Sequence, residues 1–283
     1  MYKLASPNKI HNCAVFLTSP RYRTFRYLRV QHGKGARATG PDDGGDCISA
    51  YDSENFIVDH CSTHWGTDET ISVTGTSDRY TIQWCIIAEG LNYAKHSMES
   101  ILGGGRCTWH HNLYAHQGTR NPRFAGQVRC DFRNNVVYNW GFTAAYGEFA
   151  LLNYVGNCLK PGPSTVQRPM LFILGDSFVL TGSLHLEGNM LEGNAAVNQD
   201  NWLGVGFDRE CASASPFPMP ATHSDPAEAA FEQVLNEAGA TLPKCDAADA
   251  LIISDVRNRT GRIIDSQQEA GGWPDYPATT AQP

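Results

Sequence analysis

A series of short apolar segments falls into one alignment, and that repeat constrains the fold more than any other feature of the chain. The segments read FRYLRVQHG from Phe25, FIVDHCSTHW from Phe56, YTIQWCIIAEG from Tyr80, CTWHHNLYAHQ from Cys107, VRCDFRNNVVYNW from Val128, FALLNYVGNCL from Phe149 and LHLEGNMLEGN from Leu184. Superposed, they bring Cys61, Cys85, Asn112, Asn135, Asn157 and Asn189 to a common corner. Each segment alternates, is β-branched or aromatic, and is followed by Gly, Asn or Asp. A period of roughly 20 to 30 residues marks a solenoid, whose coils stack because none can bury its apolar face alone. Corner asparagines can then form a ladder, since one amide group offers both donors and an acceptor to the next coil. The expected class is all-β, a parallel β-helix. A β-sandwich is the alternative, and it requires more uniform strand spacing of about 8 to 12 residues.

A chain of 283 residues with 41% hydrophobic content is long enough to bury one large core. Residues 1–222 are expected to form the coil stack and residues 223–283 a helical and extended tail packed on it. The stretch Ser224 to Gly239, SDPAEAAFEQVLNEAG, has Ser or Asp to cap a helix, Pro226 in its first turn and Gly239 as its stop. Ala230, Phe231, Val234 and Leu235 give that helix an apolar face. A second helix is expected from Asp246 to Asn258, and Pro277 to Pro283 is expected to fray. Met1 to Pro20 offers no amphipathic helix as a cap, so either the chain begins inside the stack, without its first coils, or the cap is supplied differently. No apolar run approaches the roughly 20 residues that span a bilayer, and Met1 to Asn12 lacks the form of a signal peptide. The nine cysteines include no CxxC pair. Their odd number and repeat positions favour buried free thiols over a disulfide framework.

From Arg106 to Gly141 the cations Arg106, Arg120, Arg123, Arg129 and Arg133 face a single acid, Asp131, although the whole chain has Lys+Arg 22 against Asp+Glu 29. A basic patch on an acidic protein points to a polyanionic partner. Other features have plainer readings. His60, His110 and His111 suggest a metal cluster, but strand neighbours point to opposite faces, so stacked core or turn histidines are expected instead. Gly103 to Gly105 lack the lysine and helix start of a phosphate loop and read as a turn at the edge of a cleft. Asn258-Arg259-Thr260 fits a glycosylation sequon that is common by chance.

The runs FIVDHCSTHWGTDE, YTIQWCIIAEGL, WHHNLYAHQGTRNPR and NNVVYNW resemble the pectate lyases of polysaccharide lyase family 1. The resemblance covers Phe25 to Gly147 and, more loosely, Val234 to Tyr276. It implies a secreted or periplasmic enzyme with a right-handed parallel β-helix that cleaves polygalacturonate by β-elimination. The family's catalytic base matches Arg120, eight residues after the asparagine of HHN. Arg123, the second arginine of R-x-P-R, would contact uronate carboxylates, as would Lys95, with His96 beside it as the competing candidate. Many relatives carry another arginine where this chain has Ala125. Free guanidinium holds its proton to about pH 12, so an arginine base needs cations crowded around it.

The same resemblance implies Ca²⁺, an ion that takes several hard oxygen ligands. Its acids match Asp46 in GGDCIS and Asp68 in TDETIS, while the second acid of the i, i+4 pair matches Ser72, which is uncharged. Glu69 could compensate, although strand alternation would point it away. Such a site would hold Ca²⁺ weakly, or only once a substrate carboxylate completed the shell. Asp59 matches a structural aspartate. The expected partner is therefore pectin or polygalacturonate, bound by a monomer, with no nucleic acid or membrane. Three alternatives stand beside this. A pectin lyase would need no calcium but would want an aromatic cleft, for which Trp65, Trp84 and Trp109 are available. A glycoside hydrolase would need two carboxylates flanking the bond. An inactive relative would bind oligogalacturonate without turning it over.

Overall fold

The computed structural model describes residues 15–18, 22–34, 45–166, 182–206, 209–220 and 222–273. The expectations for the N-terminal cap and for the fraying of 277–283 fall outside the described residues, apart from the short strand Val15–Thr18. Three parallel sheets wrap one core, and from Val15 to Lys160 successive strands pass to the three sheets in turn. The first sheet has six strands, and the second and third have seven each. The segments are short because each crosses only one face before the chain must turn. Their inward residues stack on like residues of the next coil. In the second sheet Trp109 lies in register with Phe132, and Phe132 with Tyr154. The Phe132 and Tyr154 rings stack with centroids 5.2 Å apart.

The corner ladder runs between the second and third sheets. Cys61 N donates to Cys85 Sγ at 3.4 Å, Cys85 N to Asn112 Oδ1 at 2.9 Å, and Asn112 N to Asn135 Oδ1 at 3.0 Å. It continues from Asn135 N to Asn157 Oδ1 and from Asn157 N to Asn189 Oδ1, each at 2.9 Å. A final rung, Asn189 N to Asn201 Oδ1 at 2.8 Å, comes from outside the repeated segments. Asn201 opens a one-turn 3₁₀ helix just after helix α1 (Ala195–Gln199) and ends the ladder. Asn135 accepts from two donors of Asn112 and gives to Trp109 O and Asn157 Oδ1. Asn135→Ala should therefore cost at least about 1–3 kcal/mol, the scale for leaving a buried polar group unpaired. An unchanged urea-denaturation midpoint would show that the ladder carries no stability.

The corner also overturns one sequence expectation. Just before the rungs, His60, Trp84, His111 and Asn134 have φ of 49°, 52°, 54° and 54°. This left-handed residue swings the chain onto the next sheet, at a steric cost that non-glycine residues rarely bear. Alternation stops there, so His110 and His111 do not diverge: their Nδ1 atoms lie 2.9 Å apart. Burial, then His111 and Arg133, push His110 down to about 3. The outer rings of His60, Trp84 and His111 stack along the corner, as turn histidines were expected to do.

Helices α2 (Ala227–Glu237) and α3 (Ala247–Asn258) cover the third sheet, where Val234, Leu235, Ile252 and Val256 pack on Leu113, Ala115 and Val136. The expected Ser or Asp cap of α2 is absent: Pro226 holds the N-cap without a side-chain bond. Asp225 instead receives His111 Nε2 and His223 Nε2. Asp246 does cap α3, accepting the Asp249 N–H at 2.9 Å. Every cysteine among the described residues is a free thiol, and Cys47, Cys61, Cys85, Cys107, Cys130 and Cys158 are buried.

Candidate active-site cleft

Alternation sorts the first sheet cleanly. Ala50, Val73, Leu102 and Phe124 point inward and are fully buried. The intervening residues Ser49, Ser72, Ile101, Arg123 and Tyr146 stand in register across the outer face. At one end of this strip the chain arrives from the third sheet through wide corners, residues 65–70, 89–99 and 116–122. Those corners carry the charged groups.

Arg120 sits on such a corner with φ 61°, and its backbone oxygen accepts from Ser100 N at 3.0 Å. Its side chain is 15% exposed and its Nη1 forms a close ion pair with Glu69 Oε1. Glu69 is thus turned toward the site, against the alternation argument. The reason is local: it lies in the bend between the third and first sheets, where there is no strand to alternate. Ser72 Oγ donates to Glu69 Oε2 at 3.4 Å. Asp46 Oδ1 accepts the Glu69 N–H at 3.0 Å. Burial pushes Asp46 up to about 6, with the Ser72 hydrogen bond opposing and the Asp68 charge adding to the rise.

His96 follows a one-turn 3₁₀ helix, Tyr93–Lys95, and its Nε2 lies 2.8 Å from Asp68 Oδ1. The imidazole proposed to grip substrate is therefore already engaged with an acid. Lys95 closes the turn with φ 63° and is exposed at the rim. Arg123 lies half-buried on the floor, and its Nε is buried without a hydrogen bond. Among the described residues, Asp68, Glu69 and His96 are the group of three metal-ligating side chains whose ligand atoms converge, all within 4.8 Å of one another. The structure thus brings together Asp46, Asp68, Ser72 and Arg120, and adds Glu69 and His96 to them.

The remaining expectations divide. The basic run is split between faces: Arg106 and Arg133 belong to the second sheet and are paired with Asp78 and Asp131. Only Arg120 and Arg123 of that run serve the first sheet. Trp65 and Trp109 are fully buried and Trp84 stacks on the outer corner, so none of the three lines this cleft. Asp59 is 4% exposed and accepts from Arg26, His60 and Gln83, as a structural aspartate should. Gly103, Gly104 and Gly105 floor a depression of about 650 Å³ with Thr74, Ala125 and Gln127, at the opposite end of the strip from Arg120.

The oxygen set of Asp46, Asp68 and Ser72 fits Ca²⁺ only in part. That ion takes six to eight oxygens, whereas here one carboxylate is tied to a peptide, another to an imidazole, and the third donor is a hydroxyl.

No family model matches the chain. It is 31% identical over 262 residues to the probable pectate lyase C of Aspergillus terreus, covering 87% of this chain and 58% of that one. The chain therefore spans about three-fifths of the length of this curated relative. A Bacillus pectate lyase solved in complex with trigalacturonate shares the fold at TM-score 0.56 and 14% identity, over 81% of this chain and 71% of that one. Pectate lyase C from Erwinia chrysanthemi, solved with Ca²⁺, aligns at TM-score 0.54 and 17% identity, over 84% and 71%.

Proposed function

We propose that the chain, which is similar in sequence to pectate lyases and shares their right-handed parallel β-helix fold, is itself a pectate lyase that cleaves α-1,4-polygalacturonate by β-elimination. The observation that carries the reading is the placement of Arg120, paired with Glu69, beside the acids Asp46 and Asp68 at the end of the same open strip that carries Arg123. A uronate polymer needs cations for its carboxylates, and the reaction needs a base beside the carbon that bears them.

In this reading Arg123 holds a uronate carboxylate from the floor by charge-assisted hydrogen bonds, and Lys95 reaches another from the rim. Arg120 takes the proton from the carbon next to the carboxylate. The electron pair left behind forms the double bond, and the 4-linked oxygen leaves. The Arg120 guanidinium is engaged by Glu69, so it can face the substrate carbon only when Glu69 is drawn elsewhere. Ca²⁺, when held by Asp46, Asp68 and Ser72 with the substrate carboxylate completing the shell, would supply positive charge against the developing enediolate. The burial of Trp65 and Trp109 removes the aromatic cleft that a pectin lyase would want. A polymeric substrate places the protein outside the cytoplasm, where it would act as a monomer; no helix among the described residues is long and apolar enough to cross a membrane.

The test is polygalacturonate digestion followed by ultraviolet absorbance of the unsaturated product, with Ca²⁺ and with chelator. The expected outcome is absorbance that rises with added divalent cation and stops with chelator. New reducing ends without absorbance would mean hydrolysis. Silence from folded protein would leave a binding relative, and activity on methylated pectin that ignored chelator would make it a pectin lyase.

A further inference from the structure

We propose that Asp68, Glu69 and His96 form a mixed oxygen–nitrogen site that in the free protein prefers a first-row divalent cation, such as Mn²⁺, Co²⁺, Ni²⁺ or Zn²⁺, to Ca²⁺. It rests on the reading above only in placing this cation at the edge of the same cleft.

Three ligand atoms, two carboxylate oxygens and an imidazole nitrogen, lie within 4.8 Å of one another. Ca²⁺ takes oxygens at 2.3–2.6 Å, whereas imidazole suits the smaller borderline cations, which bind nitrogen and oxygen at about 2.0–2.2 Å. The 2.8 Å between His96 Nε2 and Asp68 Oδ1 is the spacing of two adjacent ligands on such a small ion. Glu69 adds the inner ligand. Its Oε1 is held by Arg120 as an ion pair, while its Oε2 accepts from Ser72 Oγ at a long 3.4 Å. A carboxylate oxygen so weakly bonded can turn to a metal without giving up a strong partner.

The backbone presents these ligands on separate, braced corners. Thr70 N donates to Glu99 O at 2.7 Å and His96 N to Tyr93 O at 3.2 Å. Asp46 clasps the Glu69 amide, which fixes that ligand from behind. Asp68 and His96 are 49% and 26% exposed, so the ion has a way in, while Glu69 at 6% closes the inner side. Cation binding and the Glu69–Arg120 pair then draw on the same carboxylate. Occupancy loosens Arg120 from its acid, which is what the proposed base requires.

The experiment is calorimetric titration of the full chain, without substrate, with Mn²⁺, Co²⁺, Ni²⁺, Zn²⁺ and Ca²⁺ in turn. One of the first-row ions should bind at one equivalent at least tenfold more tightly than Ca²⁺. In His96→Ala that affinity should fall at least tenfold while Ca²⁺ changes little, and Co²⁺ absorption should lose its nitrogen-ligand signature. His223→Ala, on the far corner, should leave both unchanged. Circular dichroism confirms that each variant is folded, and His96→Gln serves if His96→Ala is not. Ca²⁺ binding as tightly as every first-row ion, an unaffected His96 variant, or no binding at all would overturn the proposal. The lyase assay fails separately: turnover with Ca²⁺ and no first-row preference keeps the function and removes this site, and the reverse result does the opposite.

Discussion

Arg120→Ala should abolish most cleavage of polygalacturonate, with kcat falling about 10²–10⁴-fold, the usual contribution of a positioned proton-transfer group. The effect should appear in kcat more than in KM, because Arg123 and Lys95 remain to hold the polymer. The variant has one structural side effect. Glu69 is 6% exposed and paired with Arg120, so its charge is left without that cation. Arg120→Lys separates the two roles: it restores a cation for Glu69 without the guanidinium, and should refold normally yet stay slow. If Arg120→Ala turns over within a factor of ten of the parent, the base lies elsewhere.

Asp249→Ala should be the most destabilising change away from the cleft, at about 3–5 kcal/mol, the scale for breaking a buried ionic pair by removing one partner. Asp249 is 1% exposed on α3 and accepts from Ser62 Oγ at 2.7 Å and His64 Nε2 at 2.9 Å. These contacts lock the helix onto the third sheet. Burial alone would lower the His64 pKa, but the Asp249 hydrogen bond and charge, with Glu89 nearby, hold it above its ordinary value of 6.5. A group raised in the folded state stabilises fully below its unfolded pKa, and that stability fades as pH rises through the folded one. Urea melts below about pH 6.5 should therefore give higher stability from this pair than melts well above it. In Asp249→Asn that component of the pH dependence should vanish. A pH-independent difference between parent and variant would show that His64 does not titrate with folding.

What the sequence revealed depended on whether a residue lay on a repeated strand or in a corner. Cys61, Cys85, Asn112, Asn135, Asn157 and Asn189 could be aligned because each follows the same short strand pattern. Asn201 escaped because it reaches the ladder from a 3₁₀ turn with no repeat around it. Asp46, Asp68, Ser72 and Arg120 were chosen by resemblance, and the fold brings these four side chains near one another. Glu69 and the His110–His111 pair were misdirected by the same rule, since alternation holds only while the backbone stays extended. His96 was seen as a substrate ligand because nothing in the sequence tells how a corner returns. Its partner Asp68 stands 28 residues away and becomes adjacent only when both corners fold over the same edge. The cap of α2 was misread for a related reason: Asp225 is spent on His111 of a distant coil and on the neighbouring His223.

From Cys61 to Asn189, successive rungs of the ladder are 24, 27, 23, 22 and 32 residues apart in the chain. Their bonds stay between 2.9 and 3.4 Å all the same. The interval of 27 contains the excursion that carries Lys95 and His96. Length can thus vary from coil to coil while the frame keeps time, and what varies is looped out over the cleft. A lineage of such proteins could change what its groove recognises by inserting or deleting residues at one corner. The same insertion inside a strand would put every later side chain on the wrong face. Heritable change in specificity is then channelled into a few permissive places, and the rest of the chain is held nearly fixed.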